Sequence, residues 1–336
     1  MKIDFGGNVR FKALMAMFIV VLVAFGIVFY LNQPYSEAAR GGIKGKPKRT
    51  STPTPTQTLA ATLSPWTTPT SPAVIPAPIY GVTVDDIRNN SATVTALTKL
   101  PKKMTVRIVF DPGMNPSDYQ DAVNQIHSVA YVMGQPVDSS SMKRYSVDQY
   151  RSRFQEYLNA FGNTIELWEV GNEVNGEWLG SASDVSAKIA AAYDVVKAAG
   201  KTSVLTLHFN EGPDCPTYPI NEMYSWVQTF VPDRMKQGVN YVLFSYFPEN
   251  CPEIKPDWNA EFTHTGNVFP NSKLGFGELG YEVGTQAQKE SLIREFYPKQ
   301  ISHPRYVKGI FWWYFKEEMV PYTNYLWGVL NQAISS

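Results

Sequence analysis

Two cysteines and four histidines are all that this chain of 336 residues holds. Cys215 and Cys251 are too few for a four-ligand structural zinc site, which leaves a disulfide or two thiols. His127, His208, His264 and His303 are scattered without ligand spacing, which argues against a metal-dependent hydrolase. Neither a metal nor an organic cofactor is expected. No Gly-rich phosphate loop follows the first β-prone run, where Val84-Asp85-Asp86 stands instead, so an open dinucleotide-binding sheet has no support. A Ser-centred G-x-S-x-G elbow is missing too.

Net charge is also lacking, but the balance is uneven. Residues 1–78 hold eight Lys/Arg and two acids, leaving 22 of the chain's 30 basic residues and 28 of its 30 acidic ones to residues 79–336. An acidic C-terminal part is a poor nucleic-acid binder, because that affinity comes mainly from cations on phosphates. Charge is absent altogether from residues 13–31, a run of 19 apolar residues after a short basic segment, 1–12. At about 1.5 Å per residue it spans a hydrocarbon core of about 30 Å, and it is longer than a cleavable signal. The expectation is one transmembrane signal anchor in a lipid bilayer. Residues 32–78 form a linker, first basic and then Pro/Thr-rich, of a composition that stays extended and disordered. Arg10 and Lys12 abut the apolar run and a Pro/Thr stalk follows it, which favours an extracytoplasmic place for residues 79–336.

That C-terminal part alternates β-rich apolar runs with helical periodicity. Strands are expected at 79–84, 104–111, 128–133, 164–171, 203–209, 239–246, 273–278 and 307–314, with helices such as 147–161 and 183–199 between them. Eight βα units in about 258 residues imply an α/β fold, a (β/α)8 TIM barrel with its active site at the C-terminal strand ends. In such a barrel the loops after strands five and six are neighbours, which predicts a Cys215–Cys251 disulfide and an oxidising compartment.

Two of the strand ends carry glutamates beside glycine: Trp168-Glu169-Val170-Gly171-Asn172-Glu173 on the fourth, and Phe276-Gly277-Glu278-Leu279-Gly280 on the seventh. Two carboxylates delivered into one cleft are what cleavage of a glycosidic bond requires. Rival carboxylates follow other strands at Asp111, Asp138, Glu211 and Glu249. Glu166 and Glu169 read as partners of helix or barrel-bottom groups.

Asn-Glu ending strand four and Glu ending strand seven resemble the clan A glycoside hydrolases, retaining glycosidases with a (β/α)8 barrel. Three further features resemble their family 5 cellulase-like members: Arg107 in Thr105-Val106-Arg107-Ile108, Tyr246 in Ser245-Tyr246, and the strand-eight run Phe311-Trp312-Trp313-Tyr314. The resemblance implies that Glu173 is the acid/base, Glu278 the nucleophile and Asn172 the ligand of the sugar 2-hydroxyl. It implies that Arg107 and Tyr246 keep Glu278 ionised, and that a strand-eight tryptophan lies under the reactive sugar. Trp312 and Trp313 alternate across the strand, and Trp313, nearer its end, is the one expected to face the mouth. Two positions depart from the pattern: Val174 stands where proline is usual, and strand three ends in Met133-Gly134-Gln135 without the usual histidine.

His208 and Trp178 complete the candidate substrate contacts. The expected activity is hydrolysis of a β-linked polysaccharide or oligosaccharide by double displacement. A transglycosylase would use the same residues, and a catalytically silent glycan-binding barrel would keep the aromatic residues but dispense with one carboxylate.

Overall fold

The computed structural model describes residues 75–211 and 215–335. The apolar run at 13–31 and most of the expected linker lie outside the described residues, and within them no helix is long and apolar enough to cross a membrane.

Eight parallel strands close into a barrel in sequence order. They are β1 (Ile79–Val84), β2 (Thr105–Val109), β3 (Tyr131–Gln135), β4 (Leu167–Gly171), β5 (Thr202–His208), β6 (Tyr241–Tyr246), β7 (Lys273–Leu279) and β8 (Lys308–Trp312). Helices alternate with them, among them α1 (Asn90–Thr98), α2 (Pro116–His127), α3 (Val147–Phe161), α4 (Ala182–Ala198), α5 (Met223–Phe230), α6 (Asp233–Gly238), α7 (Trp258–Val268) and α8 (Gln286–Phe296). The TIM barrel expected from the sequence is therefore the fold.

Strand alternation divides the core in two. Val106, Ile108, Val132, Trp168, Val170, Phe244, Phe276 and Trp312 face the helices. Ile79, Met133, Leu167, Val204, Tyr241, Leu243, Val307 and Phe311 fill the barrel, joined by Ile75 from ahead of β1. The inward positions above this layer carry polar side chains, among them Arg107, Gln135, Glu169, Thr206, His208 and Ser245, all buried. A barrel interior this polar at one end is a site rather than a core.

Strand boundaries differ from the sequence reading most at β3, which starts at Tyr131 rather than at residue 128. Ser128 and Ala130 belong to the turn that ends α2, where the Ala130 amide donates to the Ile126 carbonyl at 2.9 Å. That moves the end of β3 from Met133 to Gln135.

Candidate active site

Local backbone irregularities aim both glutamates into the mouth. In β7 the pairing with β6 slips between Phe244↔Phe276 and Ser245↔Glu278, so a bulge turns Glu278 inward two positions after outward-facing Phe276. Gly277 makes this possible, since a Cβ there would lie 2.7 Å from Leu243 Cβ and 2.9 Å from Thr206 Oγ1. Glu173 lies just past β4 with φ 49°, a left-handed conformation that a non-glycine residue adopts at a cost of about 1–3 kcal/mol and that clusters at functional sites.

The two carboxylates differ sharply in surroundings. Glu173 accepts hydrogen bonds from Ser139 Oγ at 2.8 Å and Ser245 Oγ at 2.7 Å, and His208 Nδ1 stands 3.2 Å from its Oε1. Burial pushes the Glu173 carboxyl up, but hydrogen bonds from His208, Ser245 and Ser139 outweigh it and hold the group below its ordinary range. Glu278 receives one hydrogen bond, from Asn172 Nδ2 at 3.0 Å, and Arg107 Nη1 lies 3.4 Å away. Burial, then the charge of Glu173, raise Glu278 well above its ordinary value despite Arg107. Arg107 does lower Glu278, but burial and the charge of Glu173 outweigh it, so the net direction at Glu278 is upward and not the downward one expected from Arg107.

The limited hold of Arg107 on Glu278 has a structural cause. Arg107 is fully buried, and its shortest ion pair is with Glu169 on β4, Nη2 to Oε1 at 2.7 Å. Glu169, also fully buried, takes a short hydrogen bond from Thr206 Oγ1 as well. Its acid is therefore no barrel-bottom partner but a competitor for the charge of Arg107, inward by the same alternation as Leu167. Glu166 is the helix and barrel-bottom partner expected, accepting from the Val132 amide at the start of β3 at 2.8 Å and meeting His127, the last residue of α2, at 3.0 Å.

Asn172 is oriented unambiguously, because its Oδ1 accepts the Ser139 amide at 3.0 Å and its Nδ2 is left for Glu278. Asn175 clasps the end of β5, accepting from the His208 amide and donating to the His208 carbonyl, both at 2.8 Å. Trp178, 39% exposed, meets the His208 ring edge-on at 5.1 Å. Trp313 faces inward as expected, its ring 5.8 Å from the Arg107 guanidinium, while Phe311 lies 5.6 Å from it. Trp312 points outward and donates Nε1–H to Glu318 at 2.9 Å.

Tyr246 is not among these residues. Its ring faces the helices, 4.9 Å from Trp258 and 5.7 Å from Phe296, beside an outer cavity of about 440 Å³. The β6 side chain that reaches one of the two carboxylates is Ser245, and it reaches Glu173 rather than Glu278. Inward parity with Tyr241 and Leu243 is the signal for Ser245; Ser139, which opens a short 3-10 helix over Ser139–Arg144, and Asn175, in a loop, offer none.

Of the rival carboxylates, Asp138 comes to the mouth and is raised by burial, with the charges of Glu173 and Arg107 acting on it. Asp111 is bonded to Tyr119, Glu249 accepts the Glu282 amide, and Glu211 lines a separate cavity of about 470 Å³ with Tyr224 and His264. Cys215 and Cys251 are joined as expected, with Cα atoms 5.6 Å apart. Among the described residues no group of three or more His, Cys, Asp or Glu is arranged to hold a metal ion.

No protein-family model and no curated protein matches the chain in sequence. Solved structures do. Saccharomyces cerevisiae Gas2p in complex with laminaritriose and laminaritetraose shares 12% identity at a TM-score of 0.50, over 77% of this chain and 64% of that one. The chain thus spans just under two thirds of Gas2p's length. A family 1 β-glucosidase from Thermotoga maritima is 9% identical at a TM-score of 0.45, over 68% of this chain and 77% of its own. What Gas2p shares with this chain is the fold.

Proposed function

We propose that the chain is a retaining glycoside hydrolase acting on a β-linked glycan, with Glu278 as nucleophile and Glu173 as acid/base. One observation carries the reading. Two buried carboxylates converge at the barrel mouth, and one constellation joins them: Ser139 bonds Glu173 through its hydroxyl and Asn172 through its amide, and Asn172 bonds Glu278. The laminari-oligosaccharides bound by Gas2p, a protein of like fold, suit a β-glucan as first substrate to try.

Glu278, ionised, attacks the anomeric carbon as the glycosidic C–O bond breaks, and Glu173 gives its proton to the departing oxygen. Water then attacks the same carbon, Glu173 takes its proton, and the bond to Glu278 breaks. The first step needs the proton on Glu173 and Glu278 ionised, so the proton moves from Glu278 to Glu173 when sugar binds; the second step needs Glu173 ionised, as its proton donation leaves it. The Asn172 amide and the Arg107 guanidinium at Glu278 favour that transfer, because they stabilise its anion. A carboxyl separation of about 5–5.5 Å belongs to this mechanism, and about 6.5–9.5 Å to inversion.

The apolar run at 13–31 and the Pro/Thr-rich stretch after it support a membrane-anchored enzyme working outside the cytoplasm on a polymeric substrate. The test is to follow the first product by proton NMR, with the full chain in mild detergent supplied with aryl β-glycosides and β-glucan oligosaccharides. Retention of the β-anomer is expected. An initial α-anomer would refute the nucleophile, and no turnover across the panel would refute the enzyme.

A further inference from the structure

Gln135 ends β3 with its side chain fully buried. It shares the inward parity of Met133 and lies one inward position nearer the mouth. Its Oε1 has no hydrogen-bond partner, and its Nε2 stands 3.5 Å from Asp138 Oδ2. Asp138 Oδ1 is occupied by the Ser140 amide at 2.9 Å and the Ser140 hydroxyl at 2.5 Å, so Oδ2 is the oxygen turned toward Gln135. A buried acceptor left unmet costs about 1–3 kcal/mol, so a donor from outside the protein belongs there.

The surroundings restrict what that donor is. The carboxyls of Asp138, Glu169, Glu173 and Glu278 all act on the one guanidinium of Arg107. An anionic sugar would bring a further carboxylate into this group, whereas a hydroxyl brings a donor and an acceptor at no charge.

We propose that Gln135 and Asp138 form a hydroxyl-recognising subsite for the sugar ring held at Glu173 and Glu278, and that it selects uncharged pyranoses. One ring hydroxyl donates to Gln135 Oε1. Its neighbour donates to Asp138 Oδ2 and accepts from Gln135 Nε2. The inference rests on the glycosidase reading of the site, which the experiment tests separately.

The experiment is calorimetric titration of laminaritetraose into the full chain carrying Glu278→Gln, then into the same chain with Gln135→Met or Asp138→Asn added. Gln135→Met is expected to weaken binding about tenfold, and Asp138→Asn, which loses an ionic acceptor, by about 10- to 100-fold. Monodeoxy analogues of the probe close the cycle: one of them loses the same factor against Gln135, and that factor disappears in Gln135→Met. Unchanged affinity in Gln135→Met overturns the subsite, for the orphaned oxygen then holds only an internal water. Should that variant fail to fold, the deoxy series on the Gln135 chain decides, and a series in which no analogue binds more than about twofold weaker overturns it. Tetragalacturonate is expected not to bind, and tight binding overturns the selection for uncharged sugars. If the Glu278→Gln chain binds no neutral β-glucan oligosaccharide at all, the glycosidase reading falls together with the subsite.

Discussion

Arg107 is shared between two glutamates, and the one it holds more closely is not the one expected to attack the substrate. It bonds Glu169 at 2.7 Å and approaches Glu278 at 3.4 Å, with all three side chains nearly or wholly buried. A buried cation facing two acids leaves one of them undercompensated. Glu278, pressed also by the charge of Glu173, is raised well above its ordinary value. Replacing Arg107 with Met would strand Glu169 as well, so Arg107→Met is expected to lose about 3–5 kcal/mol of stability. Urea unfolding followed by circular dichroism checks this; a loss under about 1 kcal/mol would mean that water reaches the pair.

Stability should depend on pH through the same groups, with opposite signs. The folded-state pKa of Glu278 lies above its ordinary value of 4.5, so its contribution is full below that pH and is lost as pH rises toward the raised value. Glu173, held below 4.5, contributes above that pH and loses the contribution as pH falls. Glu278→Gln removes a group that resists ionisation. It should therefore raise the melting temperature at pH 7, by about 2–4 °C for each kcal/mol recovered, and change little at pH 4. Equal shifts at both pH values would count against the charge assignment.

The two glutamates should separate by leaving group. Glu278→Ala is expected to abolish turnover of every glycoside, with azide or formate restoring it by filling the vacated position. Glu173→Ala should slow substrates with basic leaving groups far more than activated aryl glycosides, because protonation matters in proportion to leaving-group basicity. Steady-state kinetics over an aryl glycoside series decides; equal losses across it would remove Glu173 as the acid.

Ser245 and Tyr246 sit next to each other but should behave differently. Ser245→Ala takes a donor from Glu173 and so raises its pKa, the lower of the pair, which moves the acid limb of kcat/KM upward in pH. Tyr246→Phe removes a hydroxyl that lies among helix-facing aromatics, so the profile should stay where it is. A profile shifted by Tyr246→Phe and unmoved by Ser245→Ala would reverse the assignment made to β6.

The Cys215–Cys251 bond closes a loop with a sequence separation of 36. By loop-closure entropy its removal as the Cys215→Ser/Cys251→Ser pair should cost about 3–4 kcal/mol. Denaturant unfolding measures it, and a cost near zero would show that the reduced chain is already constrained.

The barrel was legible in the sequence because eight apolar runs at period two, punctuated by helical periodicity, leave few other ways to bury so much surface. Strand alternation likewise placed Trp313 inward and Trp312 outward, and the neighbouring loops brought Cys215 to Cys251. What the linear pattern could not supply was the environment of each charge. Whether Arg107 serves Glu169 or Glu278, and whether Ser245 or Tyr246 meets a carboxylate, depends on a bulge in β7 and on the closure of β4 against β2 across the barrel. The lowering of Glu173 depends further on Ser139, which opens a 3-10 helix and lies 34 residues before it. Burial and alternation are local properties that a sequence records in its periodicity. The pKa of a buried acid is a sum over neighbours distant in sequence, and only the folded barrel assembles them.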